Sequence, residues 1–261
     1  SLNSCGKKDL PYEPKSKVDP YELYKEGFDL FEKGDYFFAE KKFTEAELNF
    51  EIVNFAAKSA IMSSYSLYGI NFYSEALTNL ERYLKKYPAD ENVIYAHYLI
   101  AIIHYEQISD EKKDLQPLLN AKSKIAFFLE KYPNTDYAID LQFKRDLIQN
   151  QLAAKELYVA KYYISTQKWV PAIKRLKVVV NDYQKTVFIE EALHRLVEIH
   201  YYLGLEEEAK KFAQILGYNY NSSEWFKRSY KVLNKDYKIA KKPRSKNNDE
   251  SFFKKIFQKI K

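Results

Sequence analysis

The strongest constraint on how this chain folds is a small residue that returns along it, at Ala39, Ala76, Ala121, Ala172 and Ala209, each early in an amphipathic segment. Around the first, Gly27, Gly34-Asp35-Tyr36, Phe43 and Ala46 predict two antiparallel helices, 21–33 and 36–49, turning at Gly34-Asp35. Small residues stand where the two backbones must approach. The pattern returns with Phe72-Tyr73, Leu80 and Pro88, and again with Ile125, Phe128 and Pro133. It returns twice more with Trp169, Leu176 and Val179, and with Gly204 and Leu216. Composition agrees. Six Gly and eight Pro in 261 residues are too few turn formers for a β-sandwich or a parallel α/β fold. An apolar content of 46% is too high for a disordered chain.

These pairs match the tetratricopeptide pattern, in which no pair buries its own apolar face and neighbours stack into one core. The prediction is an all-α tetratricopeptide-repeat superhelix of about five helical hairpins. The small residues are 37, 45, 51 and 37 apart rather than evenly spaced. A connection near Ile108–Leu115 accounts for one long step. An extended helix from about Thr135 to Ser165 accounts for the other, with Ile139, Phe143, Leu147, Leu152, Leu157, Val159 and Tyr163 at roughly helical spacing. The first helices of such pairs line a concave surface, and here they carry Tyr24, Phe28, Tyr65, Tyr68, Tyr95, Tyr98, Tyr162 and Tyr163. Tyrosine offers stacking area with a polar tip, which suits a peptide groove; the same rings equally serve packing between layers.

Catalytic and cofactor chemistry finds little support. The six glycines assemble no phosphate-cradling loop, and one Cys excludes an internal disulfide and a thiolate zinc site. The four His form no metal-ligand pair at helical spacing; His97 and His104 share a helix without a third partner. Ser165-Thr166-Gln167-Lys168 fits S-x-x-K but falls in a turn between helices, with no S-D-N or K-T-G after it. No catalytic residue, metal or cofactor is assigned. A carboxylate clamp of the chaperone-adaptor kind needs Lys and Asn where this chain has Tyr24 and Phe28.

The net charge of +6 is unevenly placed. From Lys227 onward stand 13 basic residues against Asp236, Asp249 and Glu250, leaving 29 basic and 33 acidic residues before them. The body is mildly acidic, so an alkaline isoelectric point is no argument for nucleic-acid binding. At the other end, Ser1-Leu2-Asn3-Ser4-Cys5-Gly6 resembles a bacterial lipobox, with Cys5 as the lipidation site; an ordinary exposed thiol is the alternative. Residues 6–20, with Pro11, Pro14 and Pro20, read as an extended tether of about 45 Å at roughly 3.1 Å per residue. Beyond a polar stretch at 235–250, Phe253, Ile256, Phe257 and Ile260 fall on one face of a short basic helix, suited to a partner groove or an anionic membrane. The expected organisation is a tether at 1–19, repeats one to three at 20–134, repeats four and five at 135–234, and a basic tail at 235–261.

The segment Leu152–Leu205, LAAKELYVAKYYISTQKWVPAIKRLKVVVNDYQKTVFIEEALHRLVEIHYYLGL, resembles the BamD (YfiO/ComL) family of outer-membrane β-barrel assembly lipoproteins. Lys86-Tyr87-Pro88, Lys131-Tyr132-Pro133-Asn134-Thr135 and Trp225-Phe226 in NSSEWFKRSYKVL extend the likeness over about 20–234. The resemblance implies a non-enzymatic periplasmic scaffold, lipid-anchored at Cys5 to the outer membrane. Its C-terminal repeats would dock on the POTRA domains of the BamA-type barrel protein, beside other assembly-machinery lipoproteins. Its N-terminal repeats would receive the C-terminal segments of unfolded outer-membrane proteins. On that reading Arg175 is a partner-binding residue, with Phe253 and Phe257 of the tail as further contacts. Phe50, Tyr24, Phe28, Tyr65 and Tyr68 would meet substrate. Glu51-Ile52-Val53 and Asn181-Asp182-Tyr183-Gln184 stand where the family usually has Pro. A periplasmic scaffold for cell-division or peptidoglycan proteins is the alternative.

Overall fold

The computed structural model describes residues 18–108 and 115–234; Cys5, Phe253 and Phe257 lie outside the described residues, as do most of the tether and the basic tail. Every regular element among the described residues is an α-helix. One compact unit, up to Ile148, holds α1 (Pro20–Glu32), α2 (Tyr36–Asn49), α3 (Val53–Gly69), α4 (Tyr73–Lys86), α5 (Val93–Glu106), α6 (Gln116–Lys131) and the first part of α7 (Asp136–Ser165). The other, from Gln149, holds the rest of α7 with α8 (Trp169–Asp182), α9 (Ile189–Tyr202), α10 (Glu206–Asn219) and α11 (Glu224–Leu233). The division falls inside α7, whereas the sequence-based boundary at 134/135 falls just before it.

The five pairs begin with α1, α3, α5, α7 and α9, and α11 follows the last. The recurring Ala39, Ala76, Ala121, Ala172 and Ala209 sit on α2, α4, α6, α8 and α10, all fully buried. A second regularity flanks them. Residues five positions earlier, at 34, 71, 167 and 204, have φ of 78°, 61°, 57° and 74°. Two are Gly, but Asn71 and Gln167 hold the same left-handed turn without one. Eleven positions after each small Ala stands an aromatic: Phe50, Tyr87, Tyr132, Tyr183 and Tyr220. Each caps its helix, the N–H donating to the carbonyl four residues back, at 2.8–3.1 Å. At Tyr183 the backbone then leaves the helical region, with φ −128° and ψ 38°, and α8 ends there.

Local chemistry fixes other boundaries. Asp19 accepts from the Tyr21 N–H at 2.9 Å while Pro20, which has no N–H to satisfy, opens α1. Ser223 does the same for α11 through the Phe226 N–H at 3.0 Å. On α3, buried Ser59, Ser64 and Ser66 satisfy their hydroxyls on carbonyls one turn back, at 2.8–2.9 Å. Small side chains there let neighbouring helices come close.

In the first unit a core of Ala57, Ala60, Leu80, Tyr83, Ala96, Leu99 and Ile103 joins α3, α4 and α5. In the second, Ala153, Leu157, Ala160, Leu176, Val179 and Leu196 join α7, α8 and α9. There α11 docks through Trp225 and Phe226 beside Leu193 and Leu216. Of the apolar residues spaced along α7, Leu152 and Leu157 are buried. Ile139 and Phe143 are 69% and 64% exposed, and the buried stripe runs through Ala138, Leu141 and Ile148. Apolar residues occur around the whole circumference of this helix, so spacing names two stripes. The one beginning with small Ala138 permits closer approach and is the one buried.

Candidate functional site

The surface aromatics of the first unit come from α1, α3, α5 and the start of α7. Phe31 meets Tyr65 at 5.5 Å between ring centroids, and Tyr65 meets Tyr95 at 6.2 Å. Tyr95 continues to Tyr137 at 5.9 Å, and Tyr137 stacks on Tyr98 at 4.6 Å. Tyr68 joins through Tyr65 at 5.8 Å and Tyr73 at 6.1 Å. The result is a continuous path of rings from the first helices of four pairs, with Tyr137 on α7 a member that the sequence reading missed. Offset and tilted contacts at these distances are mutually stabilising, by about 0.5–1.5 kcal/mol per pair beyond area burial.

Carboxylates hold the phenol tips. Tyr68 donates to Glu106 at 3.3 Å and Tyr73 at 3.5 Å; Tyr98 donates to Asp140 at 3.0 Å, which Lys144 also meets at 2.7 Å. Burial, aided by Glu106, pushes the Tyr68 hydroxyl up to about 12. Burial raises Tyr95 and Tyr98 too, with Asp140 adding to the latter. These phenols are therefore neutral donors throughout the physiological range. They offer stacking faces and hydrogen bonds, with no base among them.

The other expected substrate residues divide into a second group. Phe50, in the α2–α3 turn, packs on Tyr21 at 4.9 Å and stacks on Phe55 at 5.4 Å, and Tyr21 meets Phe55 at 5.2 Å. Ile52 and Val53, both more than half exposed, extend that apolar corner. Phe55 and Tyr65 are ten residues apart on α3, about 15 Å along its axis, so Phe50 and Tyr65 belong to different patches. Tyr24 is half-buried against Phe43 at 5.3 Å, and Phe28 stands out from α1 at 41% exposure.

In the second unit Arg175 leaves α8 partly exposed and donates from one η nitrogen to both oxygens of Glu156 on α7, at 3.2 and 3.1 Å. Its guanidinium is thus aimed by an internal carboxylate, and its other nitrogens have no partner among the described residues. Nearby sequence offers false leads. Ser165 spends its hydroxyl on the Tyr162 carbonyl at 2.8 Å, as a turn residue would. Ser229, His194 and Glu198 form a chain of 2.8 and 3.3 Å that copies a hydrolase triad. Ser229 is fully buried and His194 is 3% exposed, so no substrate reaches them. Trp225 covers the imidazole at 5.3 Å. The chain fastens α11 to α9. Among the described residues no cluster of His, Cys, Asp or Glu is suited to a metal ion, and no helix is long and apolar enough to cross a membrane.

Comparison with known proteins bears on both units. The YfiO family, described as outer membrane lipoprotein, matches residues 16–215. Outer membrane protein assembly factor BamD of Caulobacter vibrioides is 35% identical over 212 residues, covering 81% of this chain and 70% of the relative. The protein of the same name from Rickettsia prowazekii is 36% identical over 211 residues, 81% of this chain and 84% of its own. That of Neisseria meningitidis serogroup A is 26% identical, with coverages of 77% and 79%. On a match that runs through nearly every helix described above, this chain belongs to the YfiO/BamD family of outer-membrane lipoproteins.

Proposed function

We propose that this protein is a non-enzymatic scaffold of outer-membrane β-barrel assembly. It sits on the periplasmic face of the outer membrane through a lipid on Cys5, docks on the POTRA domains of the BamA-type barrel protein, and receives unfolded barrel substrates. The observation that carries the reading is the ring path from Phe31 through Tyr65 and Tyr95 to Tyr137 and Tyr98. An unfolded barrel strand alternates aromatic and polar side chains, and residues two apart on an extended chain are about 6.6–6.8 Å apart. The protein's rings follow one another at 4.6–6.2 Å, a comparable interval. The phenols not already donating to Glu106 or Asp140 add hydrogen bonds to an exposed backbone without demanding a particular sequence. Ordering the peptide costs several kcal/mol, so binding is reversible, as transfer requires.

Within the same reading, Arg175 presents its remaining donors to a partner carboxylate. Residues 20–134 supply most of the substrate surface and 135–234 the docking surface, while Phe253 and Phe257 add a contact from the tail. A labelled peptide with aromatics at alternate positions and a terminal Phe tests the substrate half by fluorescence anisotropy. Tyr65→Ala with Tyr98→Ala weakens it about five-fold or more, roughly 1 kcal/mol. Tyr218→Ala, on the second unit at 90% exposure, leaves it unchanged. Equal affinity in the double variant would overturn the assignment.

A further inference from the structure

The opposite helices of the first two pairs carry a surface that neither the ring path nor Arg175 involves. Between α2 and α4, over the α3–α4 turn, lies a shallow groove of about 440 Å³. Phe37 and Phe72 stand on its sides, each 45% exposed, and buried Leu67 lies beneath. Such a volume falls within the range of sites that take small ligands and peptide side chains. Its polar edge is one-signed: Glu40 and Glu75 line it, and no Lys, Arg or His does.

One of these carboxylates is built into place. Glu40 Oε1 accepts from Thr44 at 2.9 Å and from Ser63 at 3.4 Å, and Asn79, itself on the groove wall, donates to Ser63 at 3.2 Å. Oε2 has no partner among the described residues, and Glu75 has none at either oxygen. Phe37 is already used as a platform for positive charge, with Lys41 Nζ 4.3 Å from its ring centre. Apolar sides with two carboxylates that form no ion pair among the described residues complement one chemistry and repel its opposite, though Lys41 on Phe37 and the α4 N-terminus beside Glu75 offset part of their charge.

We propose that this groove binds a segment of a partner protein in which a bulky apolar residue stands next to Lys or Arg. The side chain fills the space between Phe37 and Phe72, and the cation lies against Glu40 and Glu75. Anionic lipids and nucleic acids are disfavoured by the same carboxylates.

The test uses the full chain and a fluorescein-labelled peptide, acetyl-Lys-Phe-Lys-Leu-Phe-Lys-amide, beside its counterpart with Glu for every Lys. The basic peptide binds at least about ten-fold more tightly than the acidic one, and less tightly as salt rises. Glu40→Gln with Glu75→Gln weakens it about five-fold or more, and Phe72→Ala does likewise. Both keep their helical circular dichroism and melting temperature, since Gln preserves the acceptor that Thr44 and Ser63 use and Phe72 is in a turn. The groove variants leave binding of the alternating-aromatic peptide unchanged, which separates this site from the ring path. No binding at about 200 μM, or affinity indifferent to the groove variants, overturns the proposal.

Discussion

Glu47 shows how much a single side chain can hold in this fold. It is 4% exposed, and Arg82 closes on its two oxygens at 2.7 Å each, with Lys86 at 3.1 Å and the Tyr87 hydroxyl at 2.8 Å. Burial alone would raise its pKa, but the hydrogen bonds from Arg82, Tyr87 and Lys86 outweigh burial and hold it below the ordinary 4.5. A depressed carboxylate stabilises the fold above its unfolded pKa and loses that contribution as pH falls through the folded one. Glu47→Ala therefore costs about 1–2 kcal/mol in urea unfolding at pH 7, because it leaves the buried Tyr87 hydroxyl without its acceptor while the partly exposed Arg82 returns to water. The gap to wild type narrows below about pH 4. Gln167 makes the opposite prediction. It holds φ of 57° at a turn where Gly34 and Gly204 serve elsewhere, so Gln167→Gly stabilises by about 0.5–1 kcal/mol in the same assay. Lys86-Tyr87-Pro88 was legible as the end of a repeat. Its tie to Glu47, forty residues away, was not, because nothing in local spacing encodes a buried partner on another pair.

At the scale of helices, legibility followed the backbone. The small Ala of each second helix, the long α7 and the break before α6 could all be read, because close approach and turning leave residue-type signatures at fixed offsets. The face of α7 could not, since its apolar residues surround it. Nor could the grouping of Phe50 with Tyr21 and Phe55 rather than with Tyr65, which depends on how α1 and α3 lie side by side. Two measurements address helix packing. A Cβ on Gly27 would lie 3.0 Å from two ring atoms of Phe43, which is fully buried and has no room to yield. Gly27→Ala gains about 1 kcal/mol of helix propensity and loses more to overpacking, for a net cost of about 1 kcal/mol by thermal unfolding. The polar chain under α11 behaves as a clasp. Ser229→Ala removes the hydroxyl on His194 and speeds hydrogen exchange through 224–233, leaving α1–α4 unchanged. Burial would raise Glu198, yet His194 and Arg195 hold it down to about 2. The Glu198 carboxylate's contribution is therefore complete above about pH 4.5 and weakens as acid approaches that lower value.

For the molecule as a whole, family membership rests on matches that run from repeat one through repeat five, and its physical counterpart is the small-residue and aromatic-cap register kept through both units. The sequence-level resemblance was carried by Leu152–Leu205, where spacing and residue identity coincide. The substrate surface was less legible, because a tyrosine in a groove and a tyrosine between layers obey the same periodicity; only the ring-to-ring distances distinguish a continuous path. Docking on the barrel-inserting partner is the claim from which the scaffold function follows. The most direct measurement is binding of the full chain to the purified POTRA array of the BamA-type protein from the same organism, with Arg175→Glu in parallel. Because Arg175→Glu faces Glu156, Arg175→Ala is run beside it, and unchanged helical circular dichroism is required of both. The expected result is association at micromolar concentration or better, weakened about ten-fold or more by Arg175→Glu, equivalent to about 1.4 kcal/mol. Absence of association at about 100 μM would contradict the account and leave a tetratricopeptide scaffold serving some other envelope partner.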